Sequence, residues 1–115
     1  MEAPDRRKYP RLRQSFRVEL FKRGERQSLD GTSMDVSQSG AFIKIKDWRT
    51  LKVKDYAVVA FSLPPDYTGQ EKTILLRGEA VIKRIDQKNK GIGVEFTKKF
   101  RNFEPVPLDN AVGQS

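Results

Sequence analysis

The chain contains no cysteine and no histidine among its 115 residues. These two absences exclude disulfides, thiolate chemistry, zinc sites of the usual kind and histidine general-base catalysis. Long apolar runs are also missing, because the longest candidate, residues 57–61, is far shorter than the roughly 20 residues that span a bilayer. The first residues carry charge with no apolar segment after it, so we expect no secretory signal, a cytoplasmic location and no membrane insertion.

Positive charge is in excess and is unevenly distributed. The formal net charge is +8, from 23 lysines and arginines against 15 acidic residues. Such a balance favours an anionic partner, which could be a nucleic acid, a nucleotide, an acidic protein or lipid headgroups. Many of the cations crowd near the start of the chain: Arg6, Arg7, Lys8, Arg11, Arg13 and Arg17.

Residues 1–14 differ in composition from the rest. They hold almost no aliphatic side chains and include Pro4 and Pro10, each of which disfavours helical backbone in the residue before it. We therefore predict a flexible basic arm over residues 1–14. A single domain is expected over residues 15–103, followed by a disordered tail over 104–115.

The domain has the patterning of an all-β protein. Phe16, Val18 and Leu20 alternate with more polar positions, which is the period-two pattern of a half-buried strand. Short strands separated by turn residues predict an antiparallel barrel or sandwich. A short C-terminal helix is predicted over 97–103, with Thr97 as its N-cap. The six predicted strands cover residues 16–21, 31–36, 41–45, 56–63, 73–85 and 92–96.

Two short motifs stand out together. Arg7 and Arg11 form an R-x-x-x-R spacing, and Asp35, Ser37 and Gly40 form a D-x-S-x-x-G spacing. Alone, the first is typical of any solvated charge run, and the second of a β-turn in which the polar side chains cap backbone groups. In this order, the two motifs resemble the signatures of the PilZ domain family.

The resemblance extends to residues 78–84 and 91–96, so that it covers roughly residues 6–100. It implies a six-stranded PilZ-type β-barrel that acts as a receptor for cyclic di-GMP, regulates an effector protein in trans, and has no catalytic activity, cofactor or metal. Motility, biofilm formation and exopolysaccharide synthesis are the outputs that the resemblance suggests. Oligomerisation stays open, with a monomer expected and a dimer as the alternative.

The resemblance also assigns residues to the ligand. Arg7 and Arg11 would recognise guanine and phosphate groups, with Arg6 as an auxiliary, because a guanidinium is a permanently charged fork of donors. Asp35 would accept hydrogen bonds from the guanine edge or brace an arginine, and Ser37 would offer a hydroxyl. Gly40 would let the backbone approach closely.

Three further positions are weaker candidates. Lys83 or Arg84 could project toward the ligand and stack on a guanine, although an ordinary outward-facing cation is the alternative for each. Gly93 could contribute to the site or simply permit close approach between strands.

Two other functions remain open from the sequence. The chain could be a PilZ-like interaction module that has lost nucleotide binding, although the intact motifs argue against this. It could instead be a small basic β-barrel that binds single-stranded nucleic acid through aromatic platforms; no DNA partner is expected. An enzyme is disfavoured, because carboxylates are scattered and there is no G-x-x-x-x-G-K phosphate loop.

Overall fold

The computed structural model describes residues 15–69 and 71–106. The predicted arm and most of the predicted tail lie outside the described residues. The described chain is almost entirely β-structure, with one α-helical turn, α1 (Pro65–Thr68), and 3-10 turns at Trp48–Thr50 and Phe100–Asn102. The strands are β1 (Arg17–Lys22), β2 (Ser28–Val36), β3 (Gly40–Ile45), β4 (Tyr56–Leu63), β5 (Ile74–Asp86), β6 (Gly91–Phe96) and β7 (Glu104–Val106).

Six of the strands close into a barrel. Their order is β4-β1-β2-β3-β6-β5, every pairing is antiparallel, and β4 also pairs with β5, so that the sheet has no open side between them. The predicted six-stranded antiparallel barrel is therefore confirmed. The predicted strands agree with β1 to β6 to within a few residues.

Inward-facing apolar side chains form a single core. Val18 and Leu20 of β1 are fully buried, as their alternation predicts, and Ile43 and Ile45 face inward from β3. Phe61, Phe96, Phe100 and Phe103 pack against one another, with ring centroids 4.8–6.2 Å apart. This aromatic cluster fills the barrel near the point where β6 ends.

The C-terminal part differs from the prediction in two ways. The helix predicted over 97–103 is reduced to the single 3-10 turn, because the Thr97 backbone N–H and hydroxyl bond to the Glu79 carbonyl on β5 instead of capping a helix. The predicted disordered tail begins at Glu104, yet Glu104–Val106 form β7, which pairs with residues 75–77 of β5. Phe103, whose ring packs over Gly78, fixes this segment beside β5.

The barrel has two distinct ends. At one end, called the loop end here, the chain enters β1, and the loop of residues 37–39 joins β2 to β3. The connections that follow β1, β3 and β5 lie at the opposite end. Within residues 15–69 and 71–106, no helix is long and apolar enough to cross a bilayer.

Candidate functional site

A row of four residues, called the outer row here, runs around the outer face of the barrel. Asp35 of β2 pairs with Phe42 of β3, Phe42 pairs with Gly93 of β6, and Gly93 pairs with Arg84 of β5. Directly paired residues of antiparallel strands project from the same face. Three candidates from the sequence, Asp35, Gly93 and Arg84, are thus brought into one row, which spans about 14 Å at the usual strand spacing of roughly 4.8 Å.

Irregularities in β2 and β5 set which residues face outward. The β2–β3 register shifts between Ser33 and Asp35, so that Ser33 and Val36 are both fully buried while Asp35 lies outside. The β5–β6 register shifts between Ile82 and Arg84, which places Arg84 rather than its neighbour Lys83 opposite Gly93. Such bulges commonly redirect side chains at functional sites.

The side chain of Arg84 lies across Gly93. A Cβ added to Gly93 would be 2.9 Å from Arg84 Nε and 3.0 Å from its Cγ. The guanidinium carbon is 5.7 Å from the centre of the Phe42 ring, within the range of a cation–π contact. The Phe42 ring itself extends over Gly91, where an added Cβ would be 2.7 Å from Cζ. Two glycines of β6 therefore make room for an aromatic ring and a guanidinium side by side.

Lys83 is engaged differently. Its Nζ lies 3.6 Å from a carboxylate oxygen of Glu95, in an exposed ion pair. Of the two cations proposed to face a ligand, Arg84 is the one that lies in the outer row.

The loop between β2 and β3 is shaped by the Ser37 side chain. Its hydroxyl accepts hydrogen bonds from the backbone N–H groups of Ser39 and Gly40, both at 3.3 Å, and the Ser37 N–H donates to the Gly40 carbonyl at 2.8 Å. This is a serine turn, in which the side chain replaces part of a backbone turn. Ser37 is thus a structural residue of the loop as well as a candidate ligand contact.

The loop is also hydrogen-bonded to residues near the C-terminal end of the barrel. The Gln38 carbonyl accepts from the Phe100 N–H at 2.9 Å, and the Gln38 side-chain oxygen accepts from the Arg101 N–H at 2.8 Å. The Ser39 carbonyl accepts from the Phe96 N–H at 2.8 Å. These bonds fix the loop against the end of β6 and the following 3-10 turn, so it presents a preorganised backbone.

Gly40 is required by close backbone approach. A Cβ at this position would overlap the Val94 carbonyl oxygen of the neighbouring strand. The described glycines with positive φ are Gly24 and Gly69, so Gly40 does not depend on left-handed backbone. Gly40 thus permits close approach between β3 and β6, while its contact with a ligand stays a prediction.

Ser33 fixes the point at which the N-terminal segment joins the barrel. Its hydroxyl accepts from the Phe16 N–H at 3.0 Å and lies 3.4 Å from the Phe16 carbonyl, which also accepts from the Ser33 N–H at 2.8 Å. Ser33 is the one polar residue that is fully buried in the described chain. The start of the barrel is therefore tied to β2 only two residues before Asp35.

Arg6, Arg7 and Arg11 lie outside the described residues. The covalent chain nevertheless limits their distance from Phe16: at no more than about 3.4 Å per residue, Arg11 lies within roughly 17 Å of Phe16 and Arg7 within roughly 31 Å. Both limits are compatible with contact to the outer row.

The site contains a carboxylate, a guanidinium, an aromatic ring and a loop of defined backbone. These groups suit binding of a planar, hydrogen-bonding anion through stacking, ionic contacts and an acceptor edge. Among the described residues, no three acidic, cysteine or histidine side chains are grouped so as to hold a metal ion.

Comparison with protein families identifies the fold. The family model described as PilZ domain matches residues 5–102 of the chain, which include both motifs and all six barrel strands. The chain belongs to the PilZ domain family. This family comprises cyclic di-GMP receptor and adaptor domains.

A solved PilZ structure supports the same fold. The Bacillus subtilis inhibitor of motility (MotI/DgrA) superposes with a TM-score of 0.63 over 97% of this chain, at 20% sequence identity. The chain covers 49% of that protein, or about half of its length. A comparison with curated proteins finds no match.

Three residues that shape the candidate site escaped the sequence analysis. Phe42 could have been found from its outward position in β3, but the alternation Phe42-Ile43-Lys44-Ile45 left the core face of that strand ambiguous. Gln38 occupies a variable position of D-x-S-x-x-G, and its bonds are to residues about 60 positions away. Ser33 gave no signal, because an isolated serine in a strand is usually exposed.

Proposed function

We propose that this PilZ domain is a receptor for cyclic di-GMP that binds the dinucleotide between the arginines of the N-terminal segment and the outer row. The observation that carries the proposal is the register of Asp35, Phe42, Gly93 and Arg84 on one face. A ligand with two guanines and two phosphates has the chemistry to occupy a carboxylate, a stacking surface and a pair of arginines at once.

Each group has a distinct task in the proposed complex. Asp35 accepts from the N1–H and N2 amino group at the edge of one guanine, which adenine does not offer in the same arrangement. Arg84, supported by Phe42, stacks on a guanine face. Arg7 and Arg11 take the phosphates and the O6/N7 edge, since a guanidinium binds both in a bidentate manner.

In the proposed mechanism, binding of cyclic di-GMP changes the position of the arm relative to the barrel. Because the chain is tied at Phe16 beside Asp35, contacts from Arg7 and Arg11 to a ligand on the outer row draw residues 6–11 onto the barrel. The change in surface shape and charge then regulates an effector protein in trans. The structurally similar MotI is an inhibitor of motility, which supports motility control as one output of this chain.

The test is a pair of calorimetric titrations with cyclic di-GMP and cyclic di-AMP. The two ligands share the ribose–phosphate ring and differ in the bases, so the comparison isolates recognition by Asp35 and Arg84. Saturable binding of cyclic di-GMP that exceeds the affinity for cyclic di-AMP by at least about tenfold, the equivalent of one charge-assisted hydrogen bond, is the expected result. Equal affinity for both ligands, or no binding of either, would contradict the proposal.

A further inference from the structure

The end of the barrel opposite the loop end carries a concentration of positive charge, and we call it the basic end. It consists of residues 22–27, 46–55 and 86–90, which the antiparallel order brings together. The Lys22 ammonium donates to the Thr50 carbonyl at 3.0 Å, and the Ile45 N–H donates to the Lys90 carbonyl at 3.2 Å, so the three segments are in contact with one another or with adjoining strands.

Cations outnumber acidic residues here by about two to one. The acidic residues are Glu25, Asp47, Asp55 and Asp86, and the cations are Lys22, Arg23, Arg26, Lys46, Arg49, Lys52, Lys54, Lys88 and Lys90. Of these nine cations, Lys22 alone has a carboxylate within ion-pair distance among residues 15–69 and 71–106, namely Glu25 at 3.3 Å.

Asp86 forms no ion pair with these cations among the described residues. Its carboxylate accepts from the Asn89 backbone N–H at 3.0 Å and from the Asn89 side-chain amide at 2.8 Å. Nine cations against four carboxylates leave a formal excess of five positive charges at this end, and this excess is available to a partner outside the described chain.

Apolar side chains are exposed among these cations. Val53 is 47% exposed and stands between Lys52 and Lys54, in a turn where Lys54 has a φ of 78°. Tyr56 is 51% exposed, with the Arg23 guanidinium 5.7 Å from its ring centre. Val53 thus lies in the basic end and Tyr56 directly follows it in the chain, and these are two of the four large hydrophobic side chains that are exposed in the described chain.

Trp48 adds a third amphipathic group. It packs partly against the core, and the Arg49 guanidinium lies 4.9 Å from its ring centre. Its exposed edge lines an open groove of about 570 Å³, together with Arg49, Leu51, Ile85 and Gln87. Tryptophan, tyrosine, lysine and arginine are the side chains that favour the boundary between water and lipid.

We propose that the basic end docks onto the surface of an anionic lipid bilayer. The cations are spread over three separate connections, and a lattice of headgroups can contact them together, whereas a single acidic peptide would reach only some of them. Val53, the most exposed of the large aliphatic side chains in residues 15–69 and 71–106, lies at a turn flanked by two lysines, which suits shallow entry between headgroups. This inference is independent of the proposed nucleotide binding.

The test uses the full chain without nucleotide and vesicles of phosphatidylcholine, with or without phosphatidylglycerol. Trp48 is the single tryptophan of the chain, so its emission reports directly on the basic end. We expect a blue shift and cosedimentation with the anionic vesicles, no change with pure phosphatidylcholine, and release as the ionic strength rises. Absence of binding to the anionic vesicles would overturn the proposal.

Charge-matched variants distinguish vesicle binding by the basic end from vesicle binding through the overall positive charge of the chain. Each cation near an anionic membrane contributes about fivefold to the partition constant, so Lys52→Glu/Lys88→Glu should reduce it by at least tenfold. The control, Lys72→Glu/Lys98→Glu, makes the same change in net charge away from the basic end and should bind as the original chain does. An equal loss in the control would overturn the assignment to this surface.

Two further measurements complete the test. Val53→Ser keeps every charge and should weaken vesicle binding several-fold, and circular dichroism of each variant verifies that the barrel is folded. A single-stranded oligonucleotide is titrated in the same buffer. If it shifts the Trp48 emission at lower concentration than the anionic vesicles do, the surface fits nucleic acid and the membrane proposal fails.

Discussion

Arg84 lies across Gly93, with Nε 2.9 Å from the position that a Cβ of Gly93 would take. Because Gly93 has no side chain, Arg84 packs directly over the backbone of β6, and its guanidinium lies beside the Phe42 ring. Gly91 has the same relationship to Phe42. The two glycines of the G-x-G sequence in β6 therefore leave room on the outer surface of the barrel for the side chains of Phe42 and Arg84.

Gly93→Ala should weaken cyclic di-GMP binding several-fold and leave stability nearly unchanged. The added methyl group meets the flexible side chain of Arg84, which can move away, but the guanidinium then leaves its position beside Phe42. Calorimetric titration and thermal unfolding of the same variant give the two values. Undiminished binding would show that the position of Arg84 over β6 is unimportant for the ligand.

Gly40→Ala should instead destabilise the fold. Its Cβ would overlap the Val94 carbonyl, which belongs to the backbone of a paired strand and cannot move without disturbing the sheet. We expect a loss of about 1–3 kcal/mol, as for other cases of overpacking, measured by denaturant unfolding. An unchanged midpoint would contradict the close approach at this position.

Phe42→Leu should reduce nucleotide affinity about two- to fivefold, because a cation–π contact contributes about 0.5–1 kcal/mol at an exposed site. Leucine keeps an apolar side chain of similar reach but provides no aromatic face for Arg84. Phe42→Tyr is the matched control and should bind as the original chain does. If leucine and tyrosine bind equally well, the ring has no part in positioning Arg84.

Asp35→Asn should lower the affinity for cyclic di-GMP by about tenfold or more. A hydrogen bond to a charged group contributes about 1.5–3 kcal/mol, and the amide retains only one acceptor. Weak binding of cyclic di-AMP should change little, so the preference for guanine falls. A parallel loss for both ligands would indicate that Asp35 acts on the arm or the fold rather than on the base.

Ser33→Ala should cost about 1–3 kcal/mol of stability, because the Phe16 N–H loses its buried acceptor. Thermal unfolding measures this loss. Ser62→Ala serves as the comparison. Ser62 is a half-buried residue of β4 that takes no part in the hydrogen bonds between Ser33 and Phe16, so its replacement should cost less stability. Equal stability of the two variants would contradict the role of Ser33 in tying the start of the barrel to β2.

The barrel was predictable from the sequence because short apolar or alternating segments are separated by turn residues. In β1 the alternation of apolar residues locates both the strand and its buried face, whereas β4 is located by its continuous apolar run. The C-terminal part was less accessible to prediction, since Thr97 is committed to the Glu79 carbonyl and Phe103 to the surface over Gly78. The contacts join residues 18 and 25 positions apart, and local propensity carries no information about them.

The candidate site was predictable where it depends on short motifs. Asp35, Ser37 and Gly40 follow from their spacing, whereas the choice between Lys83 and Arg84 depends on a bulge in β5. A shift of one residue reverses the face of every following side chain, and nothing in the local sequence marks the position of this bulge. The pairing of Phe42 with Asp35 likewise requires the register of β2 and β3.

Calorimetric titration of the Arg11→Ala variant with cyclic di-GMP is the decisive experiment for the proposed receptor function. In the proposed complex Arg11 binds a phosphate or guanine edge through a charge-assisted contact, which alanine cannot make. We predict saturable binding by the original chain, a loss of at least about tenfold in Arg11→Ala, and full binding by Arg26→Ala, which removes an exposed arginine from the basic end. No binding by the original chain, or equal binding by Arg11→Ala, would contradict a receptor that holds its ligand between the arm and the outer row.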